Sequence, residues 1–173
     1  YLCSNLQVVD FTDCSNLVSI GRNAFFDCEK LTNLNLSYCI NIEEVGVNAF
    51  FALGRQTSNP LTCDLSPCEK LKKIEGTAFV HAWINKIVLP NNIEYIGGSA
   101  FFDTEITELK LPKSIKYLGL DFVPDDLKKL IIESSIPISL DKSLFSSDYV
   151  KSNMKLLVPF GSKDNYQSAP FWS

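Results

Sequence analysis

The sequence predicts a solenoid of parallel strands stacked on one side and turns on the other, and three observations predict it. One phrase recurs: Ile20-Gly21-Arg22-Asn23-Ala24-Phe25 returns as Val45-Gly46-Val47-Asn48-Ala49-Phe50 and as Ile96-Gly97-Gly98-Ser99-Ala100-Phe101. Ile74-Glu75-Gly76-Thr77-Ala78-Phe79 keeps the apolar ends and shifts its Gly by one. A second phrase, apolar-x-x-apolar-x-apolar, alternates with the first, and its last apolar position falls at 11, 36, 65, 89, 111, 132 and 158. The third observation is an apolar pair between the two phrases: Leu17/Ile20, Ile42/Val45, Leu71/Ile74, Ile93/Ile96 and Ile115/Leu118. Repetition with a period of roughly 20–30 residues marks a stacked-repeat architecture.

Each element follows from its pattern. The end of the second phrase alternates apolar and polar residues, the period of a strand with one buried face. Such a strand cannot bury its face alone, so units must stack in parallel to make a continuous core. Seven such positions predict about seven rungs, roughly 30 Å long at the usual strand spacing. The Ala-Phe pair suits a tight turn or short 3-10 segment on the opposite side, with Phe filling the space between rungs. The Gly after Ile or Val is read as supplying a backbone conformation that a β-carbon would penalise. Leu118 to Val123 and Leu140 to Phe145 are worn copies of the first phrase, and Gly54 to Pro60 is an insertion.

Taken together, Ile-Gly-x-x-Ala-Phe-x-x-Cys-x-x-Leu-x-x-Leu-x-Leu at 20–36 resembles the BspA-type leucine-rich repeat. Leu89-Pro90 and Leu111-Pro112 resemble its strand-Pro variant, and 158–173 is similar to the segment that closes such arrays. The resemblance implies a leucine-rich repeat solenoid over 1–173 as one domain. It would be a fragment truncated at its N-terminus, with an aromatic C-terminal cap (Tyr166, Phe171, Trp172) over 158–173. It implies a secreted or cell-surface bacterial or protist protein whose usual role is adhesion or binding of host proteins. The repeat has no catalytic residues to carry over.

Composition limits the other classes. The chain has 46% hydrophobic and 21% charged residues, as a folded domain does. Residues 1–70 hold four Lys/Arg against eight Asp/Glu, and 71–173 hold twelve of each. No basic stripe exists to bind nucleic acid, and no apolar run approaches a membrane span.

The six Cys fall into repeat columns: Cys3 with Cys28, and Cys14 with Cys39 and Cys68, while Cys63 takes an inward strand position. Side chains in one column point the same way about one rung apart, a poor geometry for disulfides. A buried thiol ladder is therefore expected. The Cys spacing also lacks the paired knuckles of a zinc site, and neither metal nor cofactor is expected. The single histidine, His81, belongs to a turn beside Trp83, away from the inward-pointing Cys63. A Cys/His catalytic pair needs the two side chains in contact, so an enzyme is not expected.

A partner should meet the outward strand positions, where a solenoid is long and rigid. Register places Asn35, Asp64, Val88, Lys110, Ile131 and Leu157 in one outward column and Lys86, Glu108, Lys129 and Lys155 in the next. These ten residues are the expected binding face, running from acidic to basic and apolar. The expected partner is a protein, with a glycan as another possibility. The alternative role is a structural spacer within a larger surface protein.

Overall fold

The computed structural model describes residues 3–140, 144–145, 152–170 and 172. The chain winds as a solenoid with two parallel strand systems. Short strands β1 (Ser19–Ile20), β2 (Glu44–Val45), β4 (Lys73–Ile74), β6 (Tyr95–Ile96) and β8 (Tyr117–Leu118) form a five-stranded sheet in that order. They come from the third apolar pair, with Ile20, Val45, Ile74, Ile96 and Leu118 buried in register. Longer strands come from the second phrase: β3 (Leu61–Asp64), β5 (Ile84–Val88), β7 (Glu108–Leu111), β9 (Lys129–Ile132) and β10 (Lys155–Leu157). They pair as β3-β5 and as β7-β9-β10.

The seven expected rungs become five in each strand system. At 6–11 and 31–36 the apolar positions Phe11, Leu31, Leu34 and Leu36 are buried as expected, but no strand is assigned there. The insertion accounts for part of this. Gly54 and Gln56 donate from it to the carbonyls of Cys28 and Glu29, so the unit that follows pairs β3 forward with β5.

The Ala-Phe side is turns throughout, bonded from rung to rung. Phe25 N–H donates to Ala49 O (2.7 Å), Phe50 to Ala78 (2.8 Å), Phe79 to Ala100 (2.8 Å) and Phe101 to Phe122 (3.1 Å). The ring pairs Phe25–Phe50 and Phe50–Phe79 stack with centroids 5.4 and 4.9 Å apart. Phe50, Phe79, Phe101 and Phe122 are fully buried, each contributing about 2–3 kcal/mol by area removed from water.

The Gly works differently from the expectation. No Gly of the repeated phrase has positive φ. Left-handed residues follow it, two residues on at Asn23, Asn48, Ser99 and Asp121 and one residue on at Thr77, with φ between 51° and 60°. Small polar side chains tolerate that region best. The Gly is needed for close approach. A β-carbon on Gly46 would lie 2.8 Å from Arg22 N, and one on Gly119 would lie 2.6 Å from Gly98 Cα. A β-carbon on Gly21, which follows the first short strand, would meet nothing within 4 Å.

The cysteines are all free. Cys28, Cys39, Cys63 and Cys68 are buried as expected, but Cys14 is only half-buried and Cys3 is exposed. Burial raises the Cys63 thiol strongly and pushes Cys68 up to about 11, with Cys39 and Asp64 adding to it.

At the C-terminus, α1 (Lys163–Ser168) buries Tyr166, whose hydroxyl donates to Ser134 O at 3.0 Å. Trp172 Nε1 donates to Ile138 O at 2.9 Å and its ring meets Tyr166 edge-on. These aromatics pack against the 134–138 segment. Phe171 and residues 141–143 of the last worn copy lie outside the described residues, as does Tyr1.

Two outcomes are expected. Gly119→Ala should lose at least about 2 kcal/mol in urea unfolding, as overpacked positions do, while Gly21→Ala stays within about 0.5 kcal/mol of the parent. Equal losses would remove the close-approach explanation. At mildly alkaline pH a thiol reagent should label Cys3 first and Cys14 more slowly. Cys28, Cys39, Cys63 and Cys68 should react only after unfolding, and uniform labelling would contradict their burial.

Candidate functional site

Nine of the ten outward residues lie on strands, and Asn35 lies at 31–36, where no strand forms. The β7-β9-β10 ladder aligns Lys110, Ile131 and Leu157 in one column and Glu108, Lys129 and Lys155 in the next. The β3-β5 ladder aligns Asp64 with Val88. Asn35, Asp64, Lys86, Glu108, Lys110, Lys155 and Leu157 are exposed, and Val88, Lys129 and Ile131 are half-buried.

Their chemistry is less uniform than the columns suggest. Asp10, Asn35 and Asp64 each turn the side chain back onto the chain, accepting from the N–H two residues on: Thr12 (2.8 Å), Ser37 (3.0 Å) and Ser66 (2.9 Å). These are Asx turns that end the strand segment. The Thr12 side chain first, and then the Thr12 N–H, hold the Asp10 carboxyl below its ordinary value. In the units of Val88, Lys110 and Leu157 the residue two positions on is Pro90, Pro112 or Pro159, which has no N–H to donate. The outward position is then released from turn-making. After Ile131 the equivalent N–H, that of Glu133, donates to Leu111 O at 3.0 Å instead. The drift from acidic to basic and apolar is therefore first a change of turn type. The motif Asp/Asn-x-Thr/Ser was the signal for it in the sequence.

Among the charged residues, Lys129 pairs with Glu108 (2.9 Å) and Lys110 with Glu133 (2.6 Å). Lys86 has no ion-pair partner among the described residues. A β-bulge in the β3-β5 register leaves Asn85 unpaired, so that Asn85 and Lys86 both face outward. No ladder joins β5 to β7. At this break lies a groove of about 670 Å³, bordered by Lys86 and Val88 on one side and Glu108, Lys110 and Glu133 on the other.

The opposite, short-strand face carries features that sequence reasoning missed. Tyr95 and Tyr117 stack at 4.6 Å, with Lys73 Nζ 5.1 Å from the Tyr95 ring centroid. Lys72 and Lys116 both donate to Glu94, at 2.9 and 2.6 Å. These bonds, that from Lys116 first, hold the Glu94 carboxyl down at about 2. The signal was the two-residue β-strand step, in which one residue of each short strand must face out.

His81 lies on the turn side, as expected, at φ 59°. It joins an outer aromatic column with Phe51 and Phe102, and its Nδ1 lies 2.6 Å from the Asp103 carboxylate. Arg55 of the insertion donates to the same oxygen at 2.6 Å. Among the described residues no group of three or more His, Cys, Asp or Glu could hold a metal ion, and no helix is long and apolar enough to cross a membrane.

Comparison with known proteins bears on this geometry. The sequence matches the BspA type leucine-rich repeat region in six copies, over residues 1–122 and 56–155. The chain belongs to the BspA-type leucine-rich repeat family. No curated protein matches it. Among solved structures it is similar to a leucine-rich repeat protein from Bacteroides ovatus ATCC 8483, at 18% identity and a TM-score of 0.28. That likeness covers 95% of this chain and 60% of the other, so the chain spans less than two thirds of its neighbour's length.

The Glu94 cluster makes a pH prediction. A depressed carboxyl stabilises the folded state above its ordinary value of 4.5, and that contribution is lost as pH falls towards about 2. The Tm difference between the parent and Glu94→Gln should therefore be present near neutral pH and close by about pH 2. Solvent screening keeps it small and high salt reduces it further. A pH-independent difference would contradict the pairing.

Proposed function

We propose that this domain is a non-catalytic binding module of a secreted or surface-attached protein, engaging a protein partner through the outer face of β5, β7, β9 and β10. The observation that carries the reading is the Pro-turned units. Val88 stands on the β3-β5 ladder and Lys110 and Leu157 on the β7-β9-β10 ladder, none with an Asx turn to make, and Ile131 lies in register with the last two. A surface of mixed charged and apolar side chains, set in place by the strands and free of Asx turns, is what protein interfaces use. Family membership supports the same reading, since repeat modules of this kind commonly bind proteins. Adhesion is the role such binding would serve in a surface protein, and a glycan is the second ligand class.

The test is surface plasmon resonance of the immobilised domain against purified extracellular-matrix proteins and a glycan array. At least one protein should bind. Replacing Lys110→Ala, Lys129→Ala and Ile131→Ser together should weaken that binding more than about tenfold, as loss of a central contact does. Unchanged affinity would remove this face as the site. Absence of any ligand would favour a spacer role instead.

A further inference from the structure

The groove between β5 and β7 differs from the rest of the outer face in three respects. It is the one place among the described long strands where neighbouring rungs are not joined by a ladder. The bulge beside it turns two consecutive polar residues, Asn85 and Lys86, to the outside. Its charges are unequally satisfied: Glu108 and Glu133 are each held by a lysine, while Lys86 lines the groove with no ion-pair partner among the described residues.

We propose that this groove binds an extended acidic peptide segment, with a carboxylate on Lys86 and main-chain groups along β5; the proposal rests on the outer long-strand face being the binding surface. A volume of about 670 Å³ lies within the range of ligand-sized clefts. Ile84 O already accepts from Glu105 N–H at 2.9 Å, so the two rungs are tied at the start of β5 and lack a ladder only beyond it. An extended chain suits that open stretch, because strand addition takes its affinity from main-chain hydrogen bonds. Thr62, Asn85, Asn91 and Thr107 supply further donors and acceptors at the lining, and Val88 with Pro112 supplies apolar contact for alternate side chains. Complementarity sets the sign. With Glu108 and Glu133 already neutralised, the remaining unmatched charge is positive. A basic peptide would have to displace a lysine from its partner, whereas an acidic one finds Lys86 waiting. The lining contains no aromatic ring on which a sugar could stack, which favours a peptide over a glycan.

The experiment is an NMR titration of the whole domain with two capped heptapeptides, one alternating valine with glutamate and one alternating valine with lysine. The glutamate peptide should bind and shift amides at 85–88 and 107–110, and raising salt should weaken it. Lys86→Glu should lower its affinity at least tenfold and confer binding of the lysine peptide. That variant should keep the parent Tm, because Lys86 is exposed and has no ion-pair partner among the described residues to lose. Equal binding of both peptides, shifts confined to other surfaces, or shifts of the same amides by maltoheptaose but not by the glutamate peptide would each overturn the proposal. If the glutamate peptide fails while the Lys110/Lys129/Ile131 variant still loses a matrix partner, the groove proposal falls and the binding face stands. If that variant loses nothing and the peptide also fails, both fall.

Discussion

Successive turns of this chain hydrogen bond to one another through the main chain, and that contact brings two backbones closer than a side chain allows. At the short strands Gly46 N–H donates to Ile20 O, Gly97 to Ile74 and Gly119 to Ile96, each at 2.8 Å. On the turn side the donors run the other way, from Phe25, Phe50 and Phe79 to the following unit. Most other features serve this contact. Gly clears the space in one column, Ala clears it in another, and the left-handed residues at Asn23, Asn48 and Ser99 aim the turn amides at the next rung. Once the backbones are paired, the inward side chains have no choice but to stack, and the phenylalanine column and thiol ladder follow.

The outer faces obey a weaker rule. Their positions are set by the ladder, but their identities are not. On the long-strand face, some outward residues are committed to closing the strand while others stand free. On the short-strand face, Glu94 is shared by lysines from the rungs on either side, so charge is matched across units. His81, Asp103 and Arg55 join three separate units by one carboxylate oxygen, which ties the insertion to the turn side.

Periodic information was legible in the sequence. The apolar positions recur, so strand direction, the buried columns and the ten outward residues could be read from register alone. What the register could not convey was cause. A glycine kept for its own φ and a glycine kept because its neighbour lies too close look alike in one chain, and only the structure separates Gly46 from Asn48. Similarly, Asp64 and Lys110 share a column but not a job, a difference visible only in what stands two residues later. The break between β5 and β7 was not legible at all. Ile84-x-x-Ile87-x-Leu89 and Ile106-x-x-Leu109-x-Leu111 have identical spacing, yet the two strands do not pair.

The Asx and Pro turns have a consequence for how such a surface could diversify. In an Asx unit, an outward acid or amide replaced alone leaves a turn amide unanswered, so drift at that site is opposed by folding. In a Pro unit the same site can change freely. Variation across the array would then be inherited in couples: a unit gains a mutable outward position at the moment its Thr or Ser two residues on gives way to Pro. Recognition in this architecture would spread along the chain by conversion of turns, one rung at a time, without any alteration to the core beneath.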